Sequence, residues 1–128
     1  MKLNTLFIIT AIVAVVFGLA FIFFAGQVYS LYGVESNSLL NYMWELFGAA
    51  LLAVGLIAWR SRNAADSDSR RAIIFSFFIA DAVGFVIALV GQLNNVVNAL
   101  GWSTVAIYFL LSLGFGYFQF SKQVSAQS

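Results

Sequence analysis

Two carboxylates stand where carboxylates are costly. Asp81 falls inside an apolar run at 72–91, and Glu45 inside another at 39–59. An acid at the centre of a hydrocarbon layer costs about 2.5–3.5 kcal/mol on insertion scales, so it needs compensation from its surroundings. The chemistry open to such groups is a proton or cation relay, because a carboxyl can exchange a proton or hold a cation along a path through an apolar medium. No Lys, Arg or His lies in any apolar run to pair with either acid. Three resolutions are open for Asp81. It carries its proton, or it is ionised and held by donors such as Ser76, Thr104, Tyr108 or Ser112, or it binds a cation from outside the chain. Its structural alternative is a protonated acid making one interhelical hydrogen bond, worth about 0.6 kcal/mol. For Glu45, about six residues into its run, the alternative is snorkelling towards water or bonding to nearby tyrosines.

Other chemistries are excluded by composition. The chain has no Cys and no His. That removes zinc sites, thiolate catalysis, disulfides, Ser-His and Cys-His pairs and the usual haem ligand. A net charge of +1 gives no electrostatic footprint for nucleic acid. No phosphate-cradling glycine loop or paired-carboxylate hydrolase site is present. The reading is non-enzymatic, with no catalytic residue and no cofactor.

The elements that must position the acids follow from hydropathy. Of 128 residues, 62% are hydrophobic and 9% charged, against about a quarter charged in soluble domains. A soluble fold of this size could not hide so much apolar surface. A helix needs about 20 apolar residues to cross the hydrocarbon core, and four runs qualify, at about 5–26, 39–59, 72–91 and 100–120. Barrel strands would alternate polar and apolar residues, which these runs do not. The first run is longer than a signal-peptide core and lacks a small-x-small cleavage site, so it reads as a retained helix. The expected fold is all-α: one integral membrane domain over 1–128, an antiparallel four-helix bundle.

Charge sets the expected orientation. Lys2 precedes the first run, Arg60, Arg62, Arg70 and Arg71 lie between the second and third, and Lys122 follows the fourth. The other two loops carry no cation. Basic residues stay on the cytoplasmic side, which places both termini in the cytoplasm of a bacterial cell, with the chain in its inner membrane. Ser36-Asn37-Ser38 and Asp66-Ser67-Asp68-Ser69 supply N-cap oxygens for the second and third helices. Gln92, Asn94, Asn95 and Asn98 crowd the last loop, where capping helix ends is their expected role. Tyr29, Tyr32, Tyr42, Trp44 and Trp102 mark one interface, Trp59 and Tyr117 the other.

Lipid is as apolar as leucine, so helix association relies on close backbone approach and hydrogen bonds. The residues expected at the seams are Gly18 with Ala14; Gly48 and Ala49; Ser76, Ala80, Gly84 and Ala88 at four-residue spacing; and Ser112 with Gly116. Phe17, Phe21 and Phe24 form a ridge at helical spacing, expected to be lipid-facing bulk. The seams serve packing within one bundle, or one of them receives a second copy or a partner.

The segments Phe47-Gly48-Ala49-Ala50-Leu51-Leu52-Ala53-Val54-Gly55-Leu56-Ile57-Ala58-Trp59 and Asn98-Ala99-Leu100-Gly101-Trp102-Ser103-Thr104-Val105, with the aromatic run Gly114 to Phe118, resemble small four-helix bacterial membrane proteins grouped loosely with DoxX-like domains of unknown function. The resemblance implies a four-helix inner-membrane fold and brings no catalytic residues with it. Small multidrug transporters are similar in length and span number but use a glutamate in their first span, where this chain has no acid.

Three functions are in play. The first is an accessory or scaffold protein in contact with membrane lipid, packing as a homo-oligomer or into a larger membrane complex, for example a respiratory or photosynthetic one. The second is a proton- or cation-coupled transporter using Asp81 and Glu45. The third is a binder of lipid, quinone or pigment. A polar cavity reaching Asp81 would favour transport, and a dry, closed seam would favour scaffolding.

Overall fold

The structure, a computed structural model, describes residues 2–35 and 37–121. Among them are four helices and no strand: α1 (Leu3–Leu31), α2 (Ser38–Ser61), α3 (Asp68–Leu93) and α4 (Gly101–Phe120). All four are long and apolar enough to cross a membrane, their best windows having mean hydropathies from 1.3 to 3.0. Each contains one of the expected runs and extends it by up to five residues, mostly into polar flanks. The exception is α4, which starts one residue later than expected. At about 1.5 Å per residue, α1 is about 43 Å long, well beyond the 30 Å hydrocarbon thickness. It bends at Phe24, whose backbone leaves helical geometry.

The caps behave as their chemistry dictates. The Asn37 side chain accepts from the Leu40 backbone N–H at 2.7 Å, and that of Ser67 from Arg70 at 3.2 Å. Ser36 and Lys122, also assigned roles from sequence, lie outside the described residues. α1 and α3 end alike. Gly33 (φ 80°) closes α1 with bonds from Gly33 N–H to Ser30 and from Val34 N–H to Tyr29. Asn95 (φ 58°) closes α3 with bonds from Asn95 N–H to Gln92 and from Val96 N–H to Gly91. Both are left-handed caps that return the chain towards its starting end.

Close backbone approach occurs within two hairpins, α1 with α2 and α3 with α4; between the hairpins it is sparse and runs chiefly along α1 and α4. Helix α1 is the most enclosed, with 39% of its most apolar window buried against 11% for α3. The α1–α2 seam is a glycine contact. A Cβ on Gly18 would lie 2.9 Å from the Gly48 carbonyl oxygen, and one on Gly48 only 2.7 Å from that of Gly18. In the other hairpin Gly84 receives the face of Tyr108, and Gly116 receives the Phe78 ring.

The two ends of the molecule differ. Lys2, Arg62 and Arg70 line one shallow pocket, and Arg71 bonds Asp68 at 3.0 Å, so this end is basic. Just above it lies the core: Leu3, Leu6, Phe7, Ala11, Ala58, Ile74, Phe77, Phe115 and Phe118. Its centre is a triad of rings, Phe7, Phe77 and Phe115, with centroids 5.2–6.2 Å apart in tilted and edge-on contacts. This triad joins α1, α3 and α4. The far end is held by Asn98. Its side-chain amide donates to the Leu31 carbonyl at 2.9 Å, and its backbone N–H donates to the Tyr32 carbonyl at 2.9 Å. Its side-chain oxygen accepts from Leu100, and its carbonyl accepts from Gln92 Nε2. Tyr32 and Thr104 hydroxyls pair at 3.3 Å across the same end.

Candidate functional site

Between the aromatic core and the Asn98 clamp the four helices do not close on one another. They surround a cavity of about 340 Å³. α1 contributes Thr10, Val13, Ala14, Phe17 and Phe21; α2 contributes Trp44, Phe47, Leu51 and Val54. From α3 come Asp81, Ile87, Ala88, Gly91 and Gln92, and from α4 Gly101, Thr104, Ile107, Tyr108 and Leu111. Asp81 lies at its lower end and Gln92 near its top, about 16 Å apart at 1.5 Å per residue. The walls are almost wholly apolar. The exceptions are Asp81, the hydroxyls of Thr10, Tyr32, Thr104 and Tyr108, and the Gln92 amide.

The chamber exists because side-chain bulk is distributed unevenly along α3. Its inward stripe runs Ile74, Phe77, Asp81, Gly84, Ala88 and Gly91. Near the basic end, Ile74 and Phe77 fill the space between helices. Further along the stripe carries Gly and Ala, and the gap stays open. Tyr108 lies flat on Gly84 and so forms wall instead of filling the space.

Asp81 is half-buried and faces this space. Among the described residues none donates a hydrogen bond to it, and no basic residue lines the cavity. The four donors proposed from sequence are engaged elsewhere or merely adjacent. Ser76 bonds the Ala72 carbonyl at 2.7 Å, and Ser112 the Phe109 carbonyl at 2.9 Å. Thr104 is paired with Tyr32, and Tyr108 shares the cavity wall without a hydrogen bond to the acid. No cluster of three or more metal-ligating side chains occurs among the described residues.

Glu45 is placed differently. It is exposed and does not line the cavity, although its neighbours Trp44 and Phe47 do. The inward stripe of α2 is Asn41, Trp44, Gly48, Leu51, Gly55 and Ala58, and Glu45 falls outside it. The two acids are not brought together around one space.

Of the expected packing residues, Gly18, Gly48, Gly84, Ala88, Ser112 and Gly116 do face neighbouring helices or the chamber. Ala49, Ser76 and Ala80 instead lie on exposed faces. The reason is geometric. A row at four-residue spacing precesses by about 40° per step at 3.6 residues per turn, so it winds off one face within a few steps. The ridge on α1 is also corrected. Phe17 and Phe21 line the chamber and only Phe24, at the bend, points outward. Phe21 stacks on Phe47 at 5.5 Å and meets Trp44 edge-on at 4.5 Å, so these rings form one wall. Sequence reasoning put Trp44 in an interfacial belt and gave Phe47 no role. A signal was present, since Asn41, Gly48 and Gly55 recur at seven-residue spacing, as do Trp44, Leu51 and Ala58, the pattern of a continuous helix–helix seam.

Comparison with protein families, with curated proteins and with solved structures finds no match for this chain.

Proposed function

We propose that this is an integral membrane protein that holds a single-chain lipophilic molecule inside its helix bundle. The observation that carries the reading is the cavity of about 340 Å³, walled by Phe17, Phe21, Trp44, Phe47, Leu51 and Val54 and bounded at both ends by packed structure. Ligand sites are concave, mostly apolar and furnished with a few placed polar groups, and they fall in the range of about 300–1,000 Å³. A binder of lipid, quinone or pigment is the third function that the sequence leaves open. The aromatic ridge turning inward moves it first. Four apolar helices and the gathering of Lys2, Arg62 and Arg70 at one end support a four-span bundle with that end in the bacterial cytoplasm.

A direct test is equilibrium binding of tritiated dodecanol to the protein in phosphatidylcholine nanodiscs, with empty discs as reference. Saturable binding that disappears in Ala88→Phe, where a ring replaces a methyl group on the chamber wall, supports the reading. Uptake no greater than that of empty discs overturns it.

A second reading, packing against another copy or a larger membrane complex, draws on Ala49, Ser76 and Ala80, small residues left on exposed faces. Crosslinking through Ala80→Cys in native membranes would give a dimer or a heteromeric product under this reading and monomer otherwise. The relay reading rests on Asp81 alone, because the chamber takes in that acid and leaves Glu45 outside.

A further inference from the structure

We infer that the chamber selects a single-chain amine, with its ammonium group on Asp81 and its chain lying along the aromatic wall towards Gln92. The inference rests on the proposed function and adds the ligand's charge class.

Three observations lead to it. First, among the described residues Asp81 is the only carboxylate on the chamber wall, and no Lys or Arg accompanies it there. The basic residues described lie at the ends of helices or in the 62–67 loop, beyond the aromatic core. Second, the carboxyl faces the space without a hydrogen bond from any described side chain, so its acceptors remain free for a ligand. In a low-dielectric site, an ammonium donating to a carboxylate makes one of the stronger hydrogen bonds available, whereas a ligand carboxylate would be repelled. Third, the space runs along the helices. It extends about 16 Å from Asp81 to Gln92 at 1.5 Å per residue. Its volume corresponds to about eleven water-sized groups at roughly 30 Å³ each. That suits one alkyl or prenyl chain with a small head. A bilayer lipid's headgroup amine would have to leave the interface to reach a residue at the midpoint of α3.

The polar head therefore sits at the deep end, beside the Phe7–Phe77–Phe115 core, and the chain points to the Asn98 end. Tyr108, flat against Gly84 on the same wall, supplies a ring beside the ammonium.

The test is competition in the nanodisc assay with dodecylamine, dodecanol and dodecanoate as probes, using the full chain and Asp81→Asn. The wild type should prefer dodecylamine over dodecanol by about tenfold or more, as expected for one charge-assisted contact in an apolar site, and should bind dodecanoate least. In Asp81→Asn the amine preference should fall to within about twofold while dodecanol binding persists, which also shows that the variant folds. Equal binding of amine and alcohol to the wild type overturns the amine assignment and leaves the chamber reading standing. Failure of all three chains to bind overturns both. Dodecylamine affinity should be the same in discs containing phosphatidylethanolamine. A loss there assigns the site to a headgroup amine and overturns the single-chain form.

Discussion

The two halves of the bundle use aromatic rings in opposite ways. In the half nearest the basic end, Phe7, Phe77 and Phe115 meet one another across three helices, and Phe7 and Phe115 are fully buried. In the other half Phe17, Phe21, Trp44 and Phe47 line up along the α1–α2 hairpin and face a gap. The lesson is that ring count alone does not close a helix bundle. Closure needs bulk on every facing helix, and α3 supplies it only up to Phe77. Beyond that point it presents Asp81, Gly84, Ala88 and Gly91, and the hairpins are joined again only at the polar clamp around Asn98.

The contrast can be broken first by equal truncations in the two halves. Phe115→Ala should cost about 3–5 kcal/mol, because it empties a fully packed position. Phe47→Ala, at a ring 43% exposed, should cost about 1 kcal/mol or less. Denaturation of the purified protein in mixed detergent measures both, and equal costs would remove the distinction between a packed and a hollow half. A methyl group added to glycine sharpens the same point. Gly48→Ala forces a carbon against the Gly18 carbonyl and should destabilise by about 1–3 kcal/mol. At Gly91, where the nearest atom to an added Cβ is 4.0 Å away, Gly91→Ala should stabilise by up to about 1 kcal/mol through helix propensity. Opposite signs are the expected outcome on the same denaturation scale. At the clamp, Asn98→Ala removes the bonds to Leu31 and Leu100 and should cost about 1–2 kcal/mol. Faster amide exchange around Gly33 would locate that loss. The smallest effect is expected at Glu45, where Glu45→Gln should leave stability within about 0.5 kcal/mol of wild type, as for other exposed positions.

Much of this architecture is legible in the amino-acid sequence. Run length and the absence of alternation foretell four helices, and Asn37 and Ser67 cap as their side chains require. The asparagine-rich loop is also identified as a capping region, although the reach of Asn98 across to Leu31 depends on tertiary approach that no local pattern encodes. Asp81 stands three residues before Gly84 and seven before Ala88, and it shares their face. For Glu45, closeness to small residues along the helix does not decide the face. The acid lies about 60° from Gly48 and about 40° from Ala49 on a 3.6-residue helix, and only Gly48 faces α1. The chamber itself was not legible. Hydropathy reports how apolar a face is, and Ala, Gly, Leu and Phe all score as apolar whether they fill a gap or leave one. The volume left between hairpins depends on which sizes oppose one another, and that is a property of the assembled helices.

Open space reaches the middle of the bundle on one side of the aromatic core. The chain contains no cysteine, so single cysteines can be introduced against a blank background. Ala88→Cys, on the chamber wall, and Ala11→Cys, in the packed core, should be compared by the rate of alkylation with N-ethylmaleimide in detergent micelles. Position 88 should be modified readily, more slowly with added dodecanol, and position 11 should be protected. Equal protection at both positions would contradict an open chamber.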